Sequence, residues 1–178
     1  MTGRVPDLDR PAGRMRGVTG APTFERRPYD DPVVDALVEE LQEEYVVRYG
    51  SRDGTPVDPG QFAEPAGSFL VARVDGIPVG CVGLRRHDAE RVEVKRMFVR
   101  APYRGRGLAR ALVRASEKEA RRLGYRVVLM ESGTAQPEAM ALYESSGYLP
   151  TPGFGYYKDS PLNRCYAKSL VEEDAARA

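Results

Sequence analysis

The feature that most restricts this chain is a change of rhythm in its middle. Val92-Glu93-Val94-Lys95-Arg96-Met97-Phe98-Val99 reads as a strand, Pro102 stops it, and the stretch from Arg106 to Gly124 reads as a helix. Ala109, Leu112, Val113, Ser116, Ala120 and Leu123 recur at three- and four-residue steps, so the helix has one apolar face, opposite Arg110, Arg114, Lys118 and Arg121. Such a helix packs on a sheet. At the junction, Gly105 and Gly107 carry no Cβ and permit left-handed dihedrals, so successive amides can turn toward one point at the positive end of the helix dipole. That is a cradle for an anion, with Arg104 and Arg106 beside it. Taken alone, a Gly-x-Gly can also be no more than a tight turn.

Two known phosphate loops can be tested against these letters. A P-loop needs Lys and then Ser or Thr after its second glycine, where this chain has Leu108 and Ala109. A dinucleotide fingerprint fares better, because Glu131 ends the next strand about where a ribose-binding acid belongs. Its third glycine would fall on Arg110, however, and Lys95-Arg96 interrupts a strand that should be buried on both faces. An NAD-dependent dehydrogenase is therefore a distant alternative.

Arg104-Gly105-Arg106-Gly107-Leu108-Ala109 resembles the pyrophosphate loop of the GNAT superfamily of acyl-CoA-dependent N-acyltransferases. That loop reads Gln or Arg, two residues, Gly, one residue, then Gly or Ala. The strand Glu93 to Val99 resembles the family's fourth strand, and Gln136 to Tyr148 matches a second motif at the required distance. The resemblance covers Phe24 to Leu170. It implies an α/β fold: a mixed, mostly antiparallel sheet flanked by helices, with a splayed central strand pair. It implies acetyl-CoA as co-substrate, gripped by the main chain of Met97, Phe98 and Val99 and by Arg104, Gly105, Arg106, Gly107, Leu108 and Ala109. It implies, too, that Tyr143 faces the CoA sulfur, and that Glu93, spaced from Val99 like a general-base glutamate of one family branch, takes the amine proton.

Those roles make chemical sense. A phenol with a pKa near 10 stays protonated at pH 7 and can donate to a thiolate, and a protonated amine needs a carboxylate to become a nucleophile. Glu93 could equally pair with Lys95 or Arg96, and Tyr143 could be core. Glu131, on the adjoining strand, is the other carboxylate within reach of the amine. Direct attack in a ternary complex is expected, since Cys81 and Cys165 have no histidine companion to make a nucleophile. A module that binds acyl-CoA without turnover is the alternative from another class.

The remaining chain supplies walls. Residues 1–22 have almost nothing apolar to bury and read as a disordered tail, with Met15 a possible second start. Residues 23–170 form the acetyltransferase-like domain, and 171–178 a charged tail. Asp31-Pro32 starts a helix, with Val34, Leu37, Val38, Leu41 and Tyr45 inward and Glu39, Glu40, Glu43 and Glu44 on a face expected to be solvated. Ser68 to Val74 and Ile77 to Arg85 flank Asp75-Gly76, a hairpin signal. Arg126 to Met130 is a short strand, Gln136 to Gly147 a helix, Tyr148-Leu149 an edge strand and Arg164 to Leu170 the last strand. By the family resemblance Tyr45, Arg48 and Tyr49, at the end of the first helix, become acceptor-binding candidates, together with Arg96, Glu131 and Phe154.

Lys+Arg 27 against Asp+Glu 26 gives net charge +1, which argues against a nucleic-acid partner. No run reaches transmembrane length and no signal-peptide core precedes the fold, so a cytoplasmic protein is expected, with no membrane partner. Two cysteines in apolar strands suit core thiols, and no metal-ligand spacing is present. Similar proteins are often homodimers. The expected acceptor is a small-molecule amine whose identity the residues leave open.

Overall fold

The computed structural model describes residues 20–171. Residues 1–19 and 172–178, which make up most of the expected tails 1–22 and 171–178, and with them the question of Met15, lie outside the described residues. Seven strands form one sheet: β1 (Thr23–Arg26), β2 (Ser68–Val74), β3 (Ile77–Arg86), β4 (Arg91–Val99), β5 (Val127–Gly133), β6 (Leu149–Thr151) and β7 (Asn163–Ser169). Their order across the sheet is β1-β2-β3-β4-β5-β7-β6. Every neighbouring pair is antiparallel except β4 and β5, which are parallel.

Three helices cover it: α1 (Pro32–Tyr49), α2 (Leu108–Arg122) and α3 (Pro137–Glu144). Asp31 caps α1, accepting from the Val33 amide at 2.8 Å, and Pro32 needs no such partner. Val34, Leu37 and Leu41 of α1 bury against Phe69, Val71, Cys81 and Phe98 on one face of the sheet. Leu108, Leu112, Val113 and Ala120 of α2 bury against Val79, Val82, Leu84, Val92 and Val128 on the other. Gly124 ends α2 in a left-handed conformation (φ 88°), and the Tyr125 amide reaches back to the Ala120 carbonyl at 3.0 Å. The hairpin signal also holds, with Asp75 and Gly76 both at positive φ (50° and 78°).

The sheet splits in its middle. β4 and β5 pair only where Arg91, Val92 and Glu93 face Val127, Val128 and Leu129, yet both strands run on, to Val99 and Gly133. Beyond Glu93, β4 follows β3 and β5 follows β7, which pairs with it along its whole length. The two strands therefore diverge like a wedge. Within the wedge β4 carries a bulge: Lys95 faces Gly83 and Phe98 faces Cys81, so Val82 alone stands against Arg96 and Met97. Arg96 takes the left-handed conformation (φ 56°) that this extra residue demands.

The structure departs from or adds to the sequence reading at four points. β5 extends three residues past Met130, so Glu131 lies inside the strand and not at its end. The helix expected from Arg106 starts at Leu108, because Gly107 (φ 79°) is its cap. Arg110, set opposite the apolar face as expected, finds partners outside its own helix: its guanidinium donates to the Ser145 carbonyl and hydroxyl at the end of α3. The acidic face of α1 is not merely solvated: Glu39 pairs with Arg52, Glu40 with Arg100, and Glu44 with both Arg48 and Arg104.

Candidate active site

The wedge opens into a cavity of about 510 Å³. Val94 to Met97 form one side and Glu131 to Gly133 the other, while Tyr45 and Tyr49 of α1 and Tyr143 of α3 close it. Asp53, from the loop after α1, Tyr157, from the link between β6 and β7, and Asn163, the first residue of β7, complete the wall. Gly133 is required where it stands, because a Cβ there would overlap the Tyr49 ring. The Tyr49 hydroxyl donates to Gln136 Oε1 at 3.1 Å, which joins the end of α1 to the start of α3.

Beside the wedge, the loop before α2 has the geometry of an anion cradle. Gly105 (φ 73°) and Gly107 (φ 79°) are both left-handed, and a Cβ on either would stand in open space. No side chain caps α2, and the first amide there to reach a carbonyl is that of Ala111, which donates to Gly107 at 3.0 Å. Among the described residues, nothing accepts from the amides of Gly105 to Arg110. Six successive donors at the positive end of a fifteen-residue helix suit a diphosphate. The expected side-chain charge is weaker than the sequence suggested: Arg104 donates to the Val99 carbonyl at 2.8 Å and pairs with Glu44, and Arg106 lies over the Tyr103 ring at 5.9 Å.

Inside the cavity, charge is buried and paired. Lys95 is 7 % exposed, and its Nζ stands 2.7 Å from Glu131 Oε2 and 2.9 Å from Glu93 Oε1. Burial pushes its pKa down, but the two carboxylates more than offset this and hold the ammonium above its usual range. Glu131 also accepts from the Asn163 amide at 2.9 Å. Arg96, 6 % exposed, pairs with Asp53. Burial raises the Asp53 carboxyl, but Arg96 and the hydroxyl and amide of Thr55 outweigh it, leaving a net depression.

Tyr143 is 5 % exposed and lines the cavity, and among the described residues nothing hydrogen-bonds its hydroxyl. Burial raises its pKa, so it is a phenol and not a phenolate at neutral pH. Burial does the same to Tyr45.

Of the residues singled out from sequence, Tyr45, Arg48, Tyr49, Arg96, Met97, Glu131 and Tyr143 share this cavity. Glu93 does not line it. That carboxylate is buried behind Lys95 and accepts from Arg85 Nε at 2.8 Å, so of the two glutamates it is Glu131 that faces the open space. Phe98 and Val99 put their side chains into the two cores and have only main chain to offer. Phe154 lies outside as well, set edge-on to His87 at 5.6 Å, and its loop-mate Tyr157 takes the wall position. Asp53, Lys95, Tyr157 and Asn163 escaped the sequence reading as site residues. Only Tyr157 left a signal, in the aromatic run Phe154-Gly155-Tyr156-Tyr157.

Comparison with known proteins agrees with this geometry. The sequence model of the acetyltransferase (GNAT) family matches residues 34–148. An IAA acetyltransferase of Azospirillum brasilense is 38 % identical over 145 residues, covering 80 % of this chain and 94 % of that protein. Human N-acetyltransferase 8 is 33 % identical over 125 residues, covering 67 % of this chain and 55 % of its own length, so the chain spans only about half of that relative. A crystal structure described as that of an acyl-CoA N-acyltransferase from Klebsiella pneumoniae superimposes with a TM-score of 0.72 at 25 % identity, over 87 % of this chain and all of the other. No helix among the described residues is long and apolar enough to cross a membrane.

Proposed function

The chain belongs to the GNAT family of acetyltransferases, and from that premise we propose that it transfers an acetyl group from acetyl-CoA to the primary amine of a small molecule. The observation that carries this reading is the wedge: a buried, protonated phenol lines its cavity, and β4, the strand that forms one side of it, leads into the loop whose amides are free. When bound, the coenzyme supplies an activated thioester and a thiol leaving group.

The protein's own contribution is placement and proton handling. The amides of Gly105 to Arg110 hold the diphosphate, and the unpaired edge of β4 around Met97 offers main-chain groups to the arm that follows. Such donors are fixed by the fold and need no rearrangement. Glu131, facing the cavity, receives the ammonium of the acceptor and takes its proton directly or through water. Glu93 then has a different part from the one its spacing suggests: with Glu131 it keeps Lys95 charged and in place. In the transfer the amine nitrogen bonds to the acetyl carbon, the carbon–sulfur bond breaks, and Tyr143 gives the departing sulfur a proton, which is replaced by the second proton that the nitrogen loses on becoming an amide. Reaction occurs with both substrates bound, without a covalent enzyme intermediate.

Thiol release from acetyl-CoA across a panel of amines tests this. Turnover with at least one small amine, and thermal stabilisation by CoA but not by NAD, is expected. Stabilisation by CoA with no thiol released would reduce the protein to a binding module.

A further inference from the structure

Arg96 and Lys95 are neighbours in sequence, and in a regular strand their side chains would leave on opposite faces of the sheet. Here both head groups meet partners that line one cavity, Asp53 for Arg96 and Glu131 for Lys95. The bulge in β4 achieves this by holding Arg96, a residue with a Cβ, at φ 56°. A left-handed non-glycine residue is strained and persists where the surroundings impose it. The strain marks Arg96 as positioned for more than packing.

Two charged groups line the cavity. In the first, Lys95 stands between Glu93 and Glu131 and Arg85 pairs with Glu93, so the four charges cancel, and Glu131 is the carboxylate of that group that meets an incoming ammonium. The second is a guanidinium with Asp53 on one nitrogen and the Tyr29 hydroxyl at hand, while its Nε is buried without any acceptor. The guanidinium thus keeps donors that Asp53 does not engage, and an oxygen anion in the cavity is the partner they suit.

We infer that the acceptor is an amino acid, its amine held at Glu131 and its carboxylate taken by Arg96. This rests on the acetyltransferase reading above and narrows it. A polyamine or aminoglycoside would bring a second cation against Arg96 and is disfavoured. The product is the N-acetyl amino acid, with the amine's surplus proton leaving on the CoA thiol.

Matched pairs of α-amino acids and their α-carboxamides test the inference, with thiol release from acetyl-CoA as readout. The carboxamides hold a larger share of neutral amine at pH 7, so intrinsic reactivity works against the expected result. The acids should exceed their amides at least tenfold in kcat/KM, and Arg96→Gln should shrink that ratio to about twofold or less. Calorimetric titration of an N-acetyl amino acid and its amide, into the protein with and without CoA, reads the same preference without turnover. Should Arg96→Gln fail to fold, Asp53→Asn keeps the guanidinium and the Thr55 contacts while removing the competing charge; it should bind the acid more tightly and leave the amide unchanged. Equal kcat/KM for acids and amides, or fastest turnover of a diamine, would overturn the amino-acid assignment and leave the acetyltransferase standing. Absence of CoA stabilisation and of thiol release with every amine would instead remove the acetyltransferase, while the calorimetric pair would still report on Arg96.

Discussion

The two halves of the proposed site, coenzyme and acceptor, are built from different materials. The cradle before α2 is main chain: two left-handed glycines and a run of amides without acceptors, with its nearest arginine already engaged by Glu44. The acceptor end is side chain, and charged side chain at that: Lys95 among two carboxylates, Arg96 on Asp53, Asn163 on Glu131. Backbone donors bind any diphosphate of the right shape. Buried ion pairs are costly to assemble and costlier to break singly, so they tie recognition of the acceptor to the stability of the fold.

That contrast can be broken experimentally. Its largest consequence concerns Lys95→Met, which leaves buried Glu131 without a cation and Glu93 with Arg85 alone, and should lower the unfolding free energy by about 3–5 kcal/mol in a denaturant titration. A loss below 1 kcal/mol would mean that the acceptor end is not bound up with the fold. Tyr143→Phe should cut kcat about a hundredfold. It should also leave the melting temperature and CoA binding unchanged, because among the described residues its hydroxyl has no partner to orphan. On the cradle side, Gly107→Val forces a β-branched residue to φ 79° and should raise the KM for acetyl-CoA about tenfold, with kcat little altered. Arg104→Ala, although it deletes a whole charge, should change that KM by no more than about threefold, since the guanidinium already belongs to Glu44 and the Val99 carbonyl. If Arg104→Ala exceeded Gly107→Val, side-chain charge and not main chain would govern the grip on the coenzyme.

The same difference explains what could be read from the letters. A main-chain cradle is local: it needs glycines at set positions, a proline to end the strand and a helix at once after it, and Pro102, Gly105 and Gly107 spell that out. The strands and helices were legible for a similar reason, because each buries a face whose period is written in consecutive residues. The acceptor end has no such local grammar. Asp53 sits in a polar loop that looks dispensable, and its importance comes from an arginine forty-three positions away. Glu93 had the right spacing to be the base, but only the tertiary neighbours Arg85 and Lys95 reveal that it is enclosed. Phe154 and Tyr157 occupy one short loop, and which of the two turned inward depended on contacts with His87 and with the Gly54 amide.

The strand order bears on how such a protein changes its diet. Because β7 threads between β5 and β6, the intervening stretch from Pro152 to Leu162 is anchored at each end to adjacent strands yet passes over the open side of the wedge. Lengthening or rewriting that span leaves every rung of the sheet intact while recontouring the entrance that a new acceptor must pass. Selection could in this way vary the menu from a single segment, with the coenzyme end untouched.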